Sequence, residues 1–268
     1  MKVFVIDLAR CNGCYNCQVI CKDEHVENDW SPIAKPQPDT GQFWLKMIQE
    51  TRGTIPKVRV SYQPKLCMHC DNAPCMKACP EQGAIYKRPD GLVIIDPEKC
   101  SGCRECINAC PYESIYFNEE INIAQKCTGC AHLLDDNWKE PRCVDACMTD
   151  AIKFGEESDL QDLISKAEVL LPEHETSPRI YYMNIPKKFI AGTVYNPEIN
   201  EIIEDAVCTL TDSDIGKQFT ATTDGFGDFW FEGLEKSIFY LKIEAEGRIK
   251  EFNSINTVKD VNLGDIPL

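Results

Sequence analysis

Sixteen of the seventeen cysteines in this 268-residue chain lie between Cys11 and Cys147, and only Cys208 lies beyond them. The sixteen fall into four ordered groups: Cys11, Cys14, Cys17 and Cys21; Cys67, Cys70, Cys75 and Cys79; Cys100, Cys103, Cys106 and Cys110; Cys127, Cys130, Cys143 and Cys147. In the first and third groups three thiols sit within seven residues and the fourth follows after a gap of three. That spacing lets three thiolates grip one face of an iron–sulfur cubane while the fourth is carried to a neighbouring one. The second group is a loosened version, and the last has a long excursion before its final pair. Cys79-Pro80 and Cys110-Pro111 add the proline that commonly follows a fourth ligand.

Crossed ligation turns the assignment into a pairing problem. The internal repeat suggests that the second and third groups exchange fourth ligands, and that the first and last do the same. One 4Fe-4S cluster then takes Cys11, Cys14, Cys17 and Cys147, and another takes Cys127, Cys130, Cys143 and Cys21. A third takes Cys67, Cys70, Cys75 and Cys110, and a fourth takes Cys100, Cys103, Cys106 and Cys79. Zinc is the competing reading, since four thiolates also suit a tetrahedral ion. Zinc sites need two facing knuckles, however, and three thiolates within seven residues cannot wrap one ion without strain. His69 and His132 stand close enough in sequence to replace a cysteine ligand but are disfavoured. Disulfides are disfavoured as well, because the opening Met1-Lys2-Val3-Phe4-Val5-Ile6-Asp7 is too short and too charged for a secretory signal.

Arg10, Lys22, Lys99, Lys126 and Arg142 flank ligands and could raise local potentials by stabilising reduced, more negative clusters, or could be ordinary solvated charges. The net charge of -15 argues against nucleic acid, which needs a clustered positive surface. No apolar run reaches the roughly 20 residues of a membrane span, so a soluble, cytoplasmic chain is expected, with periplasmic co-export beside a signal-bearing partner as the alternative. No phosphate-cradling loop, nucleophile elbow or histidine–carboxylate metal motif is present, so no catalytic residue is assigned.

The elements that must position these thiols follow from local pattern. Val5-Ile6-Asp7 before Cys11 is echoed by Ile94-Ile95-Asp96 before Cys100, which marks a duplication. Alternating runs around Pro89-Asp90-Gly91 and around Asn118-Glu119 predict two hairpins, Ala84 to Ile95 and Ser114 to Ala124, that wall the clusters from water. Residues 22–66 form an insertion rich in proline and aromatics, suited to packing or to docking a larger partner. Ser158 and Gln161 form a capping box ahead of Leu160, Leu163, Ile164 and Ala167, predicting a helix of about three turns that Pro172 ends. From Phe189 the period becomes two, with turns at Asn196-Pro197, Asp212-Ser213-Asp214 and Asp224 to Gly227; Cys208 is expected in the core. The expected fold is α+β. A duplicated ferredoxin-like domain of two dicluster units spans 1–155, a helix and connector span 156–187, and an all-β sandwich of about seven strands, immunoglobulin- or transthyretin-like, spans 188–268.

The four groups, with the long gap in the last and the run Cys67-Met68-His69-Cys70-Asp71-Asn72-Ala73-Pro74-Cys75, resemble the electron-transfer subunits of molybdopterin oxidoreductases of the dimethyl-sulfoxide-reductase family. Gln125 to Asp136, Pro178 to Tyr182 and the β tail are more narrowly similar to the small subunits of aromatic transhydroxylases within it. The resemblance implies a heterodimer, or a multiple of one. Its large catalytic subunit would hold molybdenum or tungsten on two pterin guanine dinucleotides, exchange electrons with an external carrier, and hydroxylate, transhydroxylate or dehydroxylate a phenol. Two alternatives stay open: the relay of a respiratory oxyanion or sulfur reductase, and a free polyferredoxin.

Overall fold

The computed structural model describes residues 1–268, which divide into two compact units. The first comprises Met1–Gln49 and Tyr62–Ile185; the second comprises Glu50–Ser61 and Pro186–Leu268. No helix is long and apolar enough to cross a membrane.

In the first unit the run Lys2–Asp7 forms β1, whose four central residues Val3 to Ile6 are all buried. A strand apolar on both faces belongs at the centre of a sheet. The ten-residue helix Asn16–His25 (α1) follows. Lys46–Thr54 (β2) and Lys57–Lys65 (β3) then make a hairpin whose outer part, 50–61, belongs to the second unit. Short elements follow in turn: Pro74–Ala78 (α2), Ile85–Lys87 (β4), Val93–Ile95 (β5), Glu105–Ala109 (α3), Ile115–Asn118 (β6) and Ile123–Lys126 (β7). The strand pairs β4–β5 and β6–β7 are the two expected hairpins. Ala131–Asp135 (α4), Arg142–Asp145 (α5) and Ile152–Glu156 (β8) complete the cysteine-bearing stretch.

Beyond β8 the chain departs from expectation. The helix Gln161–Ile164 (α6) is a single turn and buries none of its residues. A helix without a buried face gains little from lengthening. The Ser158 hydroxyl bonds the Asp159 carboxylate instead of capping, and Glu168 already exchanges main-chain hydrogen bonds with Tyr182. The strand Ile180–Met183 (β9) then lies parallel to β1, opposite β8, so the segment expected to be a connector supplies an outer strand of the sheet β8-β1-β9. The insertion packs inward: Ile33, Ala34, Trp44 and Leu45 are core residues of this unit.

The second unit continues with Lys188–Asn196 (β10), Glu201–Ile202 (β11), Val207–Asp212 (β12) and Gln218–Thr222 (β13). Asp228–Leu234 (β14), Ile238–Ala245 (β15), Arg248–Asn256 (β16) and Val261–Pro267 (β17) follow. Strands β11, β10, β14 and β17 form one sheet, with β17 parallel to β10; β13-β12-β15-β16 form the other. Inward residues of both, among them Ile190, Val194 and Phe229 with Leu210, Leu241 and Ile243, share one apolar core. Cys208 lies in that core, where burial raises its thiol to about 12, a poor setting for a nucleophile.

Candidate cluster-binding sites

Each thiol loop has the same local origin. In Cys11-Asn12-Gly13-Cys14 and Cys100-Ser101-Gly102-Cys103 the glycine has φ of +69° and +75°, and a Cβ there would stand 2.4 Å from the Tyr62 ring and 2.6 Å from Asn122. Only glycine meets both demands without strain. In Cys67-Met68-His69-Cys70 the equivalent residue is His69, at φ 46°, and its Nδ1 accepts the Val93 N–H at 3.0 Å. After the second cysteine of the first and third groups, Tyr15 and Arg104 also turn left-handed and start the helices that carry Cys17 and Cys106.

Two of the four predicted sets, B and C below, line hollows of their own, and in the other two, A and D, the thiols predicted to share a cluster with Cys17 and Cys106 are among those that act on them. In set A, Cys17 faces Cys11, Cys147 and Cys14; burial first and then these neighbours raise it to about 12. In set B, Cys21, Cys127, Cys130 and Cys143 line one hollow with His25, Leu45, Thr128, Gly129 and Pro141. Burial lifts Cys21 and Cys143 well above the ordinary thiol value, and the other thiols of the set add to it. In set C, Cys67, Cys70, Cys75 and Cys110 line a second, apolar hollow, where burial and crowding raise Cys70 to about 12 and Cys75 to about 11. In set D, Cys106 is raised to about 12 by burial and by Cys100, Cys75, Cys103 and Cys79.

The sets succeed one another. Cys143 of B feels Cys17 of A, Cys127 of B feels Cys67 of C, and Cys106 of D feels Cys75 of C. Cys14 in A and Cys103 in D are exposed, whereas every thiol of B is buried.

The donor chemistry fits a cluster better than a single ion. Crowded buried thiols resist ionisation alone, and bound cations reverse that balance. A tetrahedral ion would need its sulfurs roughly 3.8 Å apart. In B and C the four thiols ring a hollow. Main-chain amides point at the sulfurs: Gly129 N–H to Cys127 at 3.4 Å, Ala124 to Cys100 at 3.5 Å and Ala151 to Cys147 at 3.3 Å. Burial works against ionisation of Cys147, but the amides of Ile152, Ala151 and Thr149 and the Thr149 hydroxyl outweigh it and lower its thiol below the ordinary value.

Of the flanking cations, Arg10 bonds the Thr149 carbonyl at 3.0 Å, Lys99 pairs with Asp96 at 2.8 Å, and Arg142 pairs with Glu24 at 3.2 Å. Lys22 reaches the carbonyls of Pro38 and Gln42. Lys126 differs: it is 2% exposed and bonds only carbonyls, those of Val93 and Cys127. It acts electrostatically on Cys127 of B and on Cys75 and Cys110 of C. His132 gives its Nε2 to Glu24 at 3.0 Å. Sequence reasoning missed His25, whose place four residues after Cys21 on α1 was a legible signal, and gave no role to Arg179, although the segment Pro178 to Tyr182 stood out.

Against known sequences, a 4Fe-4S dicluster domain family matches residues 58–157, and a 4Fe-4S binding domain family matches residues 8–24. The pyrogallol hydroxytransferase small subunit of Pelobacter acidigallici is 38% identical over 98% of this chain and 98% of its own. A subunit of the tetrathionate reductase of Salmonella typhimurium is 36% identical over 69% of this chain and 73% of its own. The iron–sulfur subunit of an arsenate respiratory reductase from Shewanella is 45% identical over 42% of this chain and 44% of its own. A full-length match at this identity, with the ordered thiol sets beside it, leaves one family: the chain belongs to the 4Fe-4S electron-transfer subunits of the molybdopterin oxidoreductases.

Proposed function

We propose that sets A to D hold four 4Fe-4S clusters in series and relay electrons to or from a molybdenum or tungsten bis-pterin centre in a larger catalytic partner acting on phenolic aromatics. The observation that carries this is the succession A, B, C, D, with an exposed thiol at either end and none in B. Bound clusters supply reversible one-electron storage. The chain's part is to anchor them through sixteen thiolates, to offer amide N–H groups that stabilise charged sulfur, and to exclude water with apolar walls such as Val93, Tyr112 and Ile115 around set C. The phenolic substrate is favoured over an oxyanion because the similarity to the pyrogallol enzyme's small subunit includes the C-terminal unit, whereas the two reductase subunits match 69% of the chain or less.

On the same reading, residues 1–155 are two fused ferredoxin-like dicluster units, and the two C-terminal sheets form an immunoglobulin- or transthyretin-like sandwich serving as a structural or subunit-contact module. The complex is assigned to the cytoplasm. Anaerobic purification of the native complex tests the proposal. Near sixteen irons per chain with matching acid-labile sulfide, a much larger molybdenum- or tungsten-bearing partner, and cluster reduction or oxidation on adding a phenolic aromatic are expected. A lone 30.4 kDa species, stoichiometric zinc, or response to an oxyanion but not to phenols would refute it.

A further inference from the structure

Set B differs from set C in what lines its hollow beside the thiols. Around set C the lining is apolar apart from the Tyr112 hydroxyl, which is already engaged with Thr176 at 2.6 Å. His69, next to Cys70, does not line that hollow, but it is 1% exposed and its Nε2 is a buried atom without a partner in the chain. Around set B the lining includes His25 and Thr128, and each carries a buried polar atom without a partner in the chain, Nδ1 of His25 and Oγ1 of Thr128. Neighbours share the shortage. Gln37, whose N–H bonds the His25 carbonyl at 2.8 Å, and His132, whose ring lies edge-on to His25 at 5.3 Å, contribute three more. These four residues hold five of the chain's seven such atoms.

Buried donors left unsatisfied are costly, and folded proteins rarely keep them unless a partner comes from outside the chain. The corresponding loop positions avoid the problem: Asn12 and Ser101 are exposed to water, and Met68 has nothing to donate. His25 is held in place. It is 2% exposed, packs its ring on Trp44 at 4.5 Å, and shares the buried side of α1 with Cys17 and Cys21. For the two that line the hollow, His25 and Thr128, a cluster supplies the missing acceptor, since thiolate and sulfide sulfur accept hydrogen bonds and donate none.

Resting on the cluster reading above, we infer that His25 and Thr128 are positioning residues that donate hydrogen bonds to the sulfurs of the cluster held by Cys21, Cys127, Cys130 and Cys143. Donors stabilise the more negative, reduced form. These two donors therefore make set B hold its electron more tightly than it would without them.

The test is a potentiometric titration of the intact complex, followed by EPR, for wild type, His25→Phe and Thr128→Val. One cluster of the four should be harder to reduce in each variant, its reduced-to-oxidised ratio at the wild-type midpoint falling about tenfold, with the other three unmoved. His25→Gln, which keeps an N–H, should fall less. In parallel, wild-type complex with 15N-labelled histidine should show nitrogen coupling to one reduced cluster, and Thr128 should contribute an exchangeable proton coupling that Thr128→Val removes. Unchanged midpoints in both variants, four midpoints shifting together, or no histidine coupling in wild type would overturn the inference. Should the variants fail to assemble, the wild-type coupling decides. Failure of the cluster reading is separately visible as wild-type iron and sulfide far below sixteen.

Discussion

Replacing Arg179 with methionine should loosen the loop that carries Cys67 and Cys70 without touching a ligand. Arg179 is 4% exposed and grips Asp71, the residue after Cys70, through two parallel bonds of 2.7 Å, with a third to Glu157 at 3.2 Å. The main chain reinforces the grip: Arg179 N–H bonds the Met68 carbonyl at 2.9 Å, and Asp71 N–H bonds the Ser177 carbonyl at 2.9 Å. Truncating one partner of a buried ion pair costs about 3–5 kcal/mol. Here both carboxylates keep about 40% of their surface in water, at 40% and 41%, and Asp71 retains Lys87 as a second partner. Solvent and Lys87 recover roughly half, leaving about 2 kcal/mol. That corresponds to roughly a 30-fold larger population of the opened loop. The assay is the rate of iron release from the anaerobic complex into excess chelator, which follows the open population while reclosing is fast. Arg179→Lys keeps the charge but loses the fork, so it should fall between. A release rate for Arg179→Met within threefold of wild type would refute the reasoning.

Other outcomes can be measured on the same material. Lys126→Met removes a buried cation shared by sets B and C; charges about 7 Å apart at an effective dielectric of about 20 interact by about 2 kcal/mol. Two midpoint potentials should drop by about 100 mV and the others stay, whereas Lys126→Arg should hold near wild type. Leu241→Ala, at a fully buried position of the second core, should cost about 3 kcal/mol and lower the melting temperature reported by near-ultraviolet circular dichroism, leaving iron content unchanged. Stripping iron with a chelator should abolish amide protection in the four cysteine loops while β12 and β15 stay protected, because their core contains no ligand; simultaneous loss of protection in β12 and β15 would contradict that.

How much of this was legible follows from the range over which each feature is decided. In the first and third groups all four thiols lie within eleven residues, so the covalent spacing already limits which sulfurs share a face, and the glycines at 13 and 102 announce the left-handed turn. The hairpins β4–β5 and β6–β7 rest on adjacent runs of alternating residues closed by turn chemistry, again a local matter. The helix after Gly155 stops at one turn for the opposite reason. Its apolar residues share a face, but that face is only half-buried, and Tyr182 claims the main chain of Glu168 first.

By itself the sequence determined the chemistry: sixteen thiols in four groups, the turns that present them, and a separate β-rich tail whose buried face includes Cys208. Only the tertiary structure decided which sets neighbour which, that β9 lies against β1 across more than 170 residues of chain, and that His25, Thr128, Lys126 and Arg179 surround the interior thiols. Spacing along a chain constrains atoms a few residues apart. Burial, orphaned donors and long-range ion pairs exist only once distant segments have excluded water between them.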